Sequence, residues 1–113
     1  MRQFSLLVRV PISYTSENAK TAFPDWEKLI EDWKSSNVYV LSFAFPGDSF
    51  TVSGPDKIPG QEPVLSGSLR VVSNIVLQTE SFQQAVDQAK RCPILAYGGS
   101  VEVREIPNPI VLR

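Results

Sequence analysis

The chain of 113 residues carries 11 Lys and Arg against 12 Asp and Glu and no histidine, a formal net charge of −1. That length builds one core and leaves no room for a second unit, so residues 1–113 are read as a single domain. The basic residues are scattered and provide no field for a phosphate backbone, which argues against nucleic-acid binding, and one cysteine excludes an intrachain disulfide. The opening MRQFSLLVRVPIS has an apolar run too short for a secretory signal or a membrane span, so a reducing cytoplasm is the expected compartment. No residue spacing points to a metal or a cofactor.

Residues 4–10 alternate as a half-buried strand, with Phe4, Leu6, Val8 and Val10 on one face and Ser5, Leu7 and Arg9 on the other. Pro11 ends it. Residues 11–23 lack periodicity and read as a surface loop. Pro24 suits the first position of a helix, Asp25 and Glu27 suit its positive end, and Trp26, Leu29, Ile30 and Trp33 form one apolar stripe. The two tryptophans are therefore assigned to helix–sheet packing.

Ser35, Ser36 and Asn37 break that helix, and residues 38–45 are rich in β-branched and aromatic side chains, a strand. Pro46, Gly47 and Asp48 read as a turn that returns residues 49–53 antiparallel beside it. Residues 54–67 contain three prolines and three glycines, which predicts a loop with no regular element, placed as a lid or a flap at a dimer edge. Its VSGPDK stretch lacks the spacing of a phosphate loop.

Residues 68–78 form the longest strand candidate, with Leu69, Val71, Ser73, Ile75 and Leu77 opposite Arg70, Val72, Asn74, Val76 and Gln78. A helix follows in which Ser81 caps the first turn, Gln84 reaches back, and Phe82, Ala85, Val86 and Ala89 face the core; Gln83, Asp87, Gln88 and Lys90 face water. Pro93 stops it, Gly98 and Gly99 turn the chain, and residues 101–106 make a last strand with Glu102, Arg104 and Ile106 on one face. Pro107 and Pro109 prevent regular pairing of the tail.

The order βαββαβ predicts an α+β fold of the ferredoxin-like split βαβ kind, an antiparallel sheet with both helices on one face. Two helices leave the other face to water, a ligand or a second copy. Apolar Leu7, Val40 or Leu41, Val72 and Val76 are assigned to that face as a dimer seam. The polar residues assigned to it are Arg9, Ser42, Arg70, Asn74, Glu102 and Arg104. Converging guanidinium groups with an amide suit a small anion such as a carboxylate, and the plainer alternative is that Glu102 and Arg104 pair structurally. Asp48, Asp56 and Glu62 lie on loops as solvated acids. Cys92, at the negative end of a helix and without a histidine partner, reads as a packed side chain.

FSLLVR at 4–9, the stretch from Ser81 through Pro93, and above all GSVEVREI at 99–106 resemble the YCII-related proteins. The likeness covers the terminal strands and the second helix, about half the chain. It implies the dimeric α+β barrel, two such sheets face to face around a cleft. That family's better-understood members use a histidine near the first strand with an aspartate, and this chain has no histidine. The family's DGPF-type stretch is replaced by VSGPDK at 52–57, its following charged pair by Gly67, Ser68 and Leu69, and the proline after its final arginine by Glu105. Glu102 and Arg104 match residue for residue. The expectation is a homodimer with a small-ligand cleft and no identifiable catalytic machinery; the alternative is a carboxylate-dependent isomerase, lyase or dehalogenase of the muconolactone-isomerase-like type.

Overall fold

The computed structural model describes residues 1–111. Its elements are β1 (Arg2–Pro11), α1 (Ser16–Ser35), β2 (Tyr39–Ala44), β3 (Thr51–Ser53), β4 (Ile58–Gly60), β5 (Leu65–Ser66), β6 (Leu69–Thr79), α2 (Phe82–Ala89), a 3-10 turn (Pro93–Tyr97) and β7 (Ser100–Ile106). The main sheet runs β2-β6-β1-β7, every neighbouring pair antiparallel, with the short β5 paired to β6. The chain is thus an α+β fold.

The alternation in β1 is realised without exception: Phe4, Leu6, Val8 and Val10 are fully buried. They meet Leu29 and Trp33 of α1, Ile75 and Leu77 of β6, and Ala85 and Ala89 of α2 in one core, so both helices lie on the same face of the sheet. Burial of each large member removes enough apolar surface to contribute roughly 1.5–3 kcal/mol. The alanines of α2 let that helix sit close. The helices are also tied to each other: Trp33 Nε1 donates to Gln88 Oε1 at 2.8 Å, and Arg91 bridges Gln88 and Asp32. Gln88, expected to face water, is the polar link between them.

Helix α1 begins eight residues before Pro24. Thr15 caps it, with its hydroxyl accepting from Asn18 N at 3.2 Å and the Asn18 side chain accepting from Thr15 N at 2.9 Å. This reciprocal cap stabilises the first turn. Asparagine in place of the usual Glu or Gln made it illegible, and Pro24, whose missing N–H suits a first turn, proves to lie inside the helix. In α2, Ser81 Oγ accepts from Gln84 N as expected, while Gln84 reaches one residue further back and accepts from Glu80 N at 2.9 Å.

Residues 54–67 are not devoid of regular structure. β3 pairs with β4 rather than with β2, forming a separate two-stranded ribbon turned by Gly54 to Lys57, and β5 then adds to β6. The turn is closed by Lys57 N donating to Gly54 O at 3.1 Å, with both residues at positive φ. Pro59 sits in β4 without penalty because this strand is an edge. The ribbon has no place in the main sheet, and the radius of gyration is 15.2 Å against about 13 Å for a compact chain of this length.

Gly99 fixes where β7 starts. A Cβ there would stand 2.5 Å from Arg9 O and 2.7 Å from Ile94 Cγ1, so only glycine lets the chain pass between β1 and the 3-10 turn. Gly98 before it is in the left-handed region at φ 81°. Gly99→Ala should lower stability by about 1–3 kcal/mol, since the obstacle is backbone and cannot swing aside. Gly47→Ala, where a Cβ meets nothing within 4 Å, should change it little. Equal unfolding midpoints for the two variants in urea would contradict this account.

Candidate functional site

The face of the sheet away from the helices carries, from β1, Gln3, Ser5, Leu7 and Arg9; from β6, Val71, Asn74 and Val76; from β2, Leu41 and Phe43; and from β7, Glu102, Arg104 and Ile106. Four of the six polar residues assigned to it from the sequence, Arg9, Asn74, Glu102 and Arg104, are there. Ser42 and Arg70 are not.

Two bulges explain the difference. Val40 is an extra residue in β2 between Tyr39, opposite Leu77, and Leu41, opposite Val76. Alternation restarts after it, so Leu41 takes the open face and Ser42, opposite the buried Ile75, turns to the helix side, where its hydroxyl lies 2.6 Å from Tyr39 Oη. Val72 is the extra residue in β6: Val8 pairs with Ser73 but Arg9 with Val71, which sends Arg70 to the helix side opposite Val10. A one-residue slip moves every later side chain to the other face. Val72 itself packs against the core and so leaves the expected dimer seam.

On the open face, Arg9 Nη1 meets Glu102 Oε1 at 2.6 Å, and Arg104 Nη1 reaches Glu102 Oε2 at 3.4 Å. Two guanidinium groups share one carboxylate, so the row keeps a surplus positive charge. Arg9 is held firmly with its side chain 17% exposed, whereas that of Arg104 is 69% exposed and weakly held. Across the strand, Ser5 Oγ donates to Asn74 Oδ1 at 2.7 Å. Polar groups therefore gather toward β7 and apolar ones toward β2 and β6.

One end of this face is closed by the chain itself. The Gln3 side chain donates to Ile110 O at 2.9 Å and accepts from Ile110 N at 2.6 Å, a two-point clasp on the tail beyond β7. Val76, expected as uncovered seam, is already 2% exposed within the single chain. Leu7, Leu41, Val71 and Phe43 remain at least partly open to solvent.

Cys92 is buried, and burial pushes its thiol up to about 12 against a smaller opposing pull from Arg91. It stays a protonated, unreactive side chain at neutral pH. Asp48, Asp56 and Glu62 are exposed. Among the described residues no cluster of His, Cys, Asp or Glu could hold a metal ion, and no helix is long and apolar enough to cross a membrane.

No protein-family model matches this chain, and no curated protein is significantly similar to it.

The outer end of β7 is pinned by charge. Arg2 embraces Glu105 with Nε at 2.9 Å from Oε2 and Nη2 at 2.6 Å from Oε1. These hydrogen bonds, more than the Coulombic attraction, hold the Glu105 carboxyl below its ordinary 4.5 and raise the Arg2 guanidinium. A carboxylate whose folded pKa is depressed contributes its stability above the unfolded value and loses it as pH falls through the folded one. A carbon-detected titration of Glu105 should therefore show a midpoint below 4.5, and Arg2→Met should return it to the ordinary carboxylate range. An unshifted midpoint in the native chain would show that the fork is not formed in solution.

Proposed function

We propose that this chain is a small-anion-binding homodimer of the dimeric α+β barrel type, related to the YCII-like proteins, with the helix-free faces of two protomers apposed. The observation that carries the reading is that both helices pack on one face of the sheet, leaving Leu7, Leu41, Val71 and Phe43 uncovered beside the Arg9–Glu102–Arg104 row. The strand order β2-β6-β1-β7 with β3, β4 and β5 inserted between β2 and β6 supports the ferredoxin-like description, because the four main strands taken in chain order then stand as second, third, first and fourth.

An apolar strip beside a charged row is what an isologous interface with a solvated edge requires. Two-fold apposition buries the β2 and β6 side, and the shared carboxylate with its two guanidiniums lines the cleft at the rim. The surplus positive charge there favours a small carboxylate-bearing or phosphate-like ligand, with Arg104, the more loosely held of the two, free to turn onto it. The exposed Phe50, Val52, Ile58 and Val64 of the ribbon region extend the apolar area beyond one protomer's sheet. Binding is the inferred role, and the cytoplasm, where a lone buried thiol is at home, is the inferred compartment.

Light scattering at micromolar concentration is the decisive measurement. The native chain should run as a dimer. Leu41→Glu, which places an unpaired charge in the apolar strip, should weaken association by at least about 100-fold while leaving the far-ultraviolet spectrum intact. A native monomer, or a Leu41→Glu dimer as tight as the native one, would overturn the reading.

A further inference from the structure

The helix side of the sheet holds a second feature, separate from the open face. Where β2 ends and β6 bulges, a cavity of about 450 Å³ opens between the sheet and the first turns of α1, lined by Tyr14, Trp26, Phe45, Arg70, Val72 and Ile94 among others. Its volume lies within the ~300–1,000 Å³ of small-molecule sites, and its walls are mostly apolar. The bulge at Val72 gives its wall a charge: Arg70, which strict alternation would have sent to the open face, is turned inward opposite the fully buried Val10.

Arg70 is half-buried, and among the described residues it has no salt bridge and no side-chain hydrogen bond. No acidic residue lines the cavity. Asp48 lines an adjoining recess of about 560 Å³ that shares Phe45 and Arg70, but it makes no ion pair with the guanidinium. A partly desolvated guanidinium without a carboxylate is a group that gains from an external anion, and its planar fork matches a carboxylate. Three aromatic side chains, Tyr14, Trp26 and Phe45, border the same space, and Tyr14 is fixed edge-on against Tyr97 at 5.5 Å between ring centres. Burial, and next the neighbouring Tyr97, raise the Tyr14 phenol above its ordinary value, so its hydroxyl remains a donor at neutral pH.

We propose that this cavity binds a small flat monocarboxylate, with the carboxylate on Arg70 and the apolar body against Trp26, Phe45 and Val72. The site lies within one protomer and uses none of Arg9, Glu102 or Arg104. It is therefore independent of the open-face reading, and each can fail alone.

The test is a nitrogen–proton NMR titration with benzoate and 2-naphthoate, with benzamide as the uncharged isostere, following the Trp26 indole and the backbone amides of Tyr14, Val72 and Ser73. At least one carboxylate should give saturable shifts at these positions, and benzamide should bind at least about tenfold more weakly, because it cannot engage the guanidinium as an anion. Arg70→Met keeps the aliphatic stem and should lose the carboxylate preference; Arg70→Lys, retained in case the Met variant does not fold, should keep part of the affinity with the fork removed. Arg9→Met and Leu41→Glu should leave these shifts unchanged. The proposal is overturned if neither carboxylate gives saturable shifts at Trp26 and Tyr14, if benzamide binds as well as benzoate, or if binding survives unchanged in both Arg70 variants.

Discussion

The structure depends on β1, a strand that pairs on both sides and turns a completely dry face to the helices. Phe4, Leu6, Val8 and Val10 are fully buried, and the same strand forms the ladders to β6 and β7. The other main elements are placed by reference to it: the helices close over its apolar row, the edge strand β7 pairs with it directly, and the edge strand β2 is reached through β6. A charge at Leu6 or Val8 would leave an uncompensated ion in the centre of the core that both helices share. The polar clusters, by contrast, stand on its other face, at Ser5 with Asn74, a neutral part-buried pair, and at Arg9 with Glu102, whose carboxylate keeps access to water. Both pairs are partly buried, so each satisfies polar groups that the sheet has taken from water and sets the character of the face.

What alternation could reveal, it revealed well. The faces of β1 and β7 and the inward turn of Ala85 and Ala89 follow from periods of two and 3.6, and they are present in the structure. The differences in face assignment at Ser42, Arg70, Val71 and Val72 have one physical origin. A bulge adds a residue without any marker in the local composition when the extra residue is an ordinary valine, as at Val40 and Val72. A glycine at either position would have been a signal; a β-branched residue is indistinguishable from its strand. Ser42 and Arg70, each downstream of a bulge when counted from the buried centre, were therefore assigned to the wrong side, while Asn74, between Ile75 and the bulge, was not.

The other losses came from signals that were present but weak. The cap of α1 rests on Asn18 at a position where a longer Glu or Gln is the usual signature, and Pro24 offered a stronger and misleading start. In residues 54–67 the proline and glycine content argues against strands, yet an edge ribbon tolerates both, because a proline there gives up a donor that an edge strand need not pair. Composition there described the turns correctly and the short ladders between them not at all.

The bulge at Val72 links the two halves of the functional argument. By letting Val71, instead of Val72, stand opposite Arg9, it moves Arg70 opposite Val10 and keeps a third guanidinium off the open face, where it would have added unpaired charge beside an apolar strip. By the same rotation it delivers that guanidinium to a cavity with no carboxylate to meet it. A regular β6 would have placed Arg70 on the open face and left the helix side without that charge. The irregularity interrupts the ladder and leaves a charged group partly desolvated, while Val72 itself packs against the core and its carbonyl accepts from Phe45 N at 2.9 Å. The same bulge therefore sets what both faces present, an apolar residue beside Arg9 on one and a guanidinium fork without an ion-pair partner on the other, and the proposed carboxylate site rests on that second consequence.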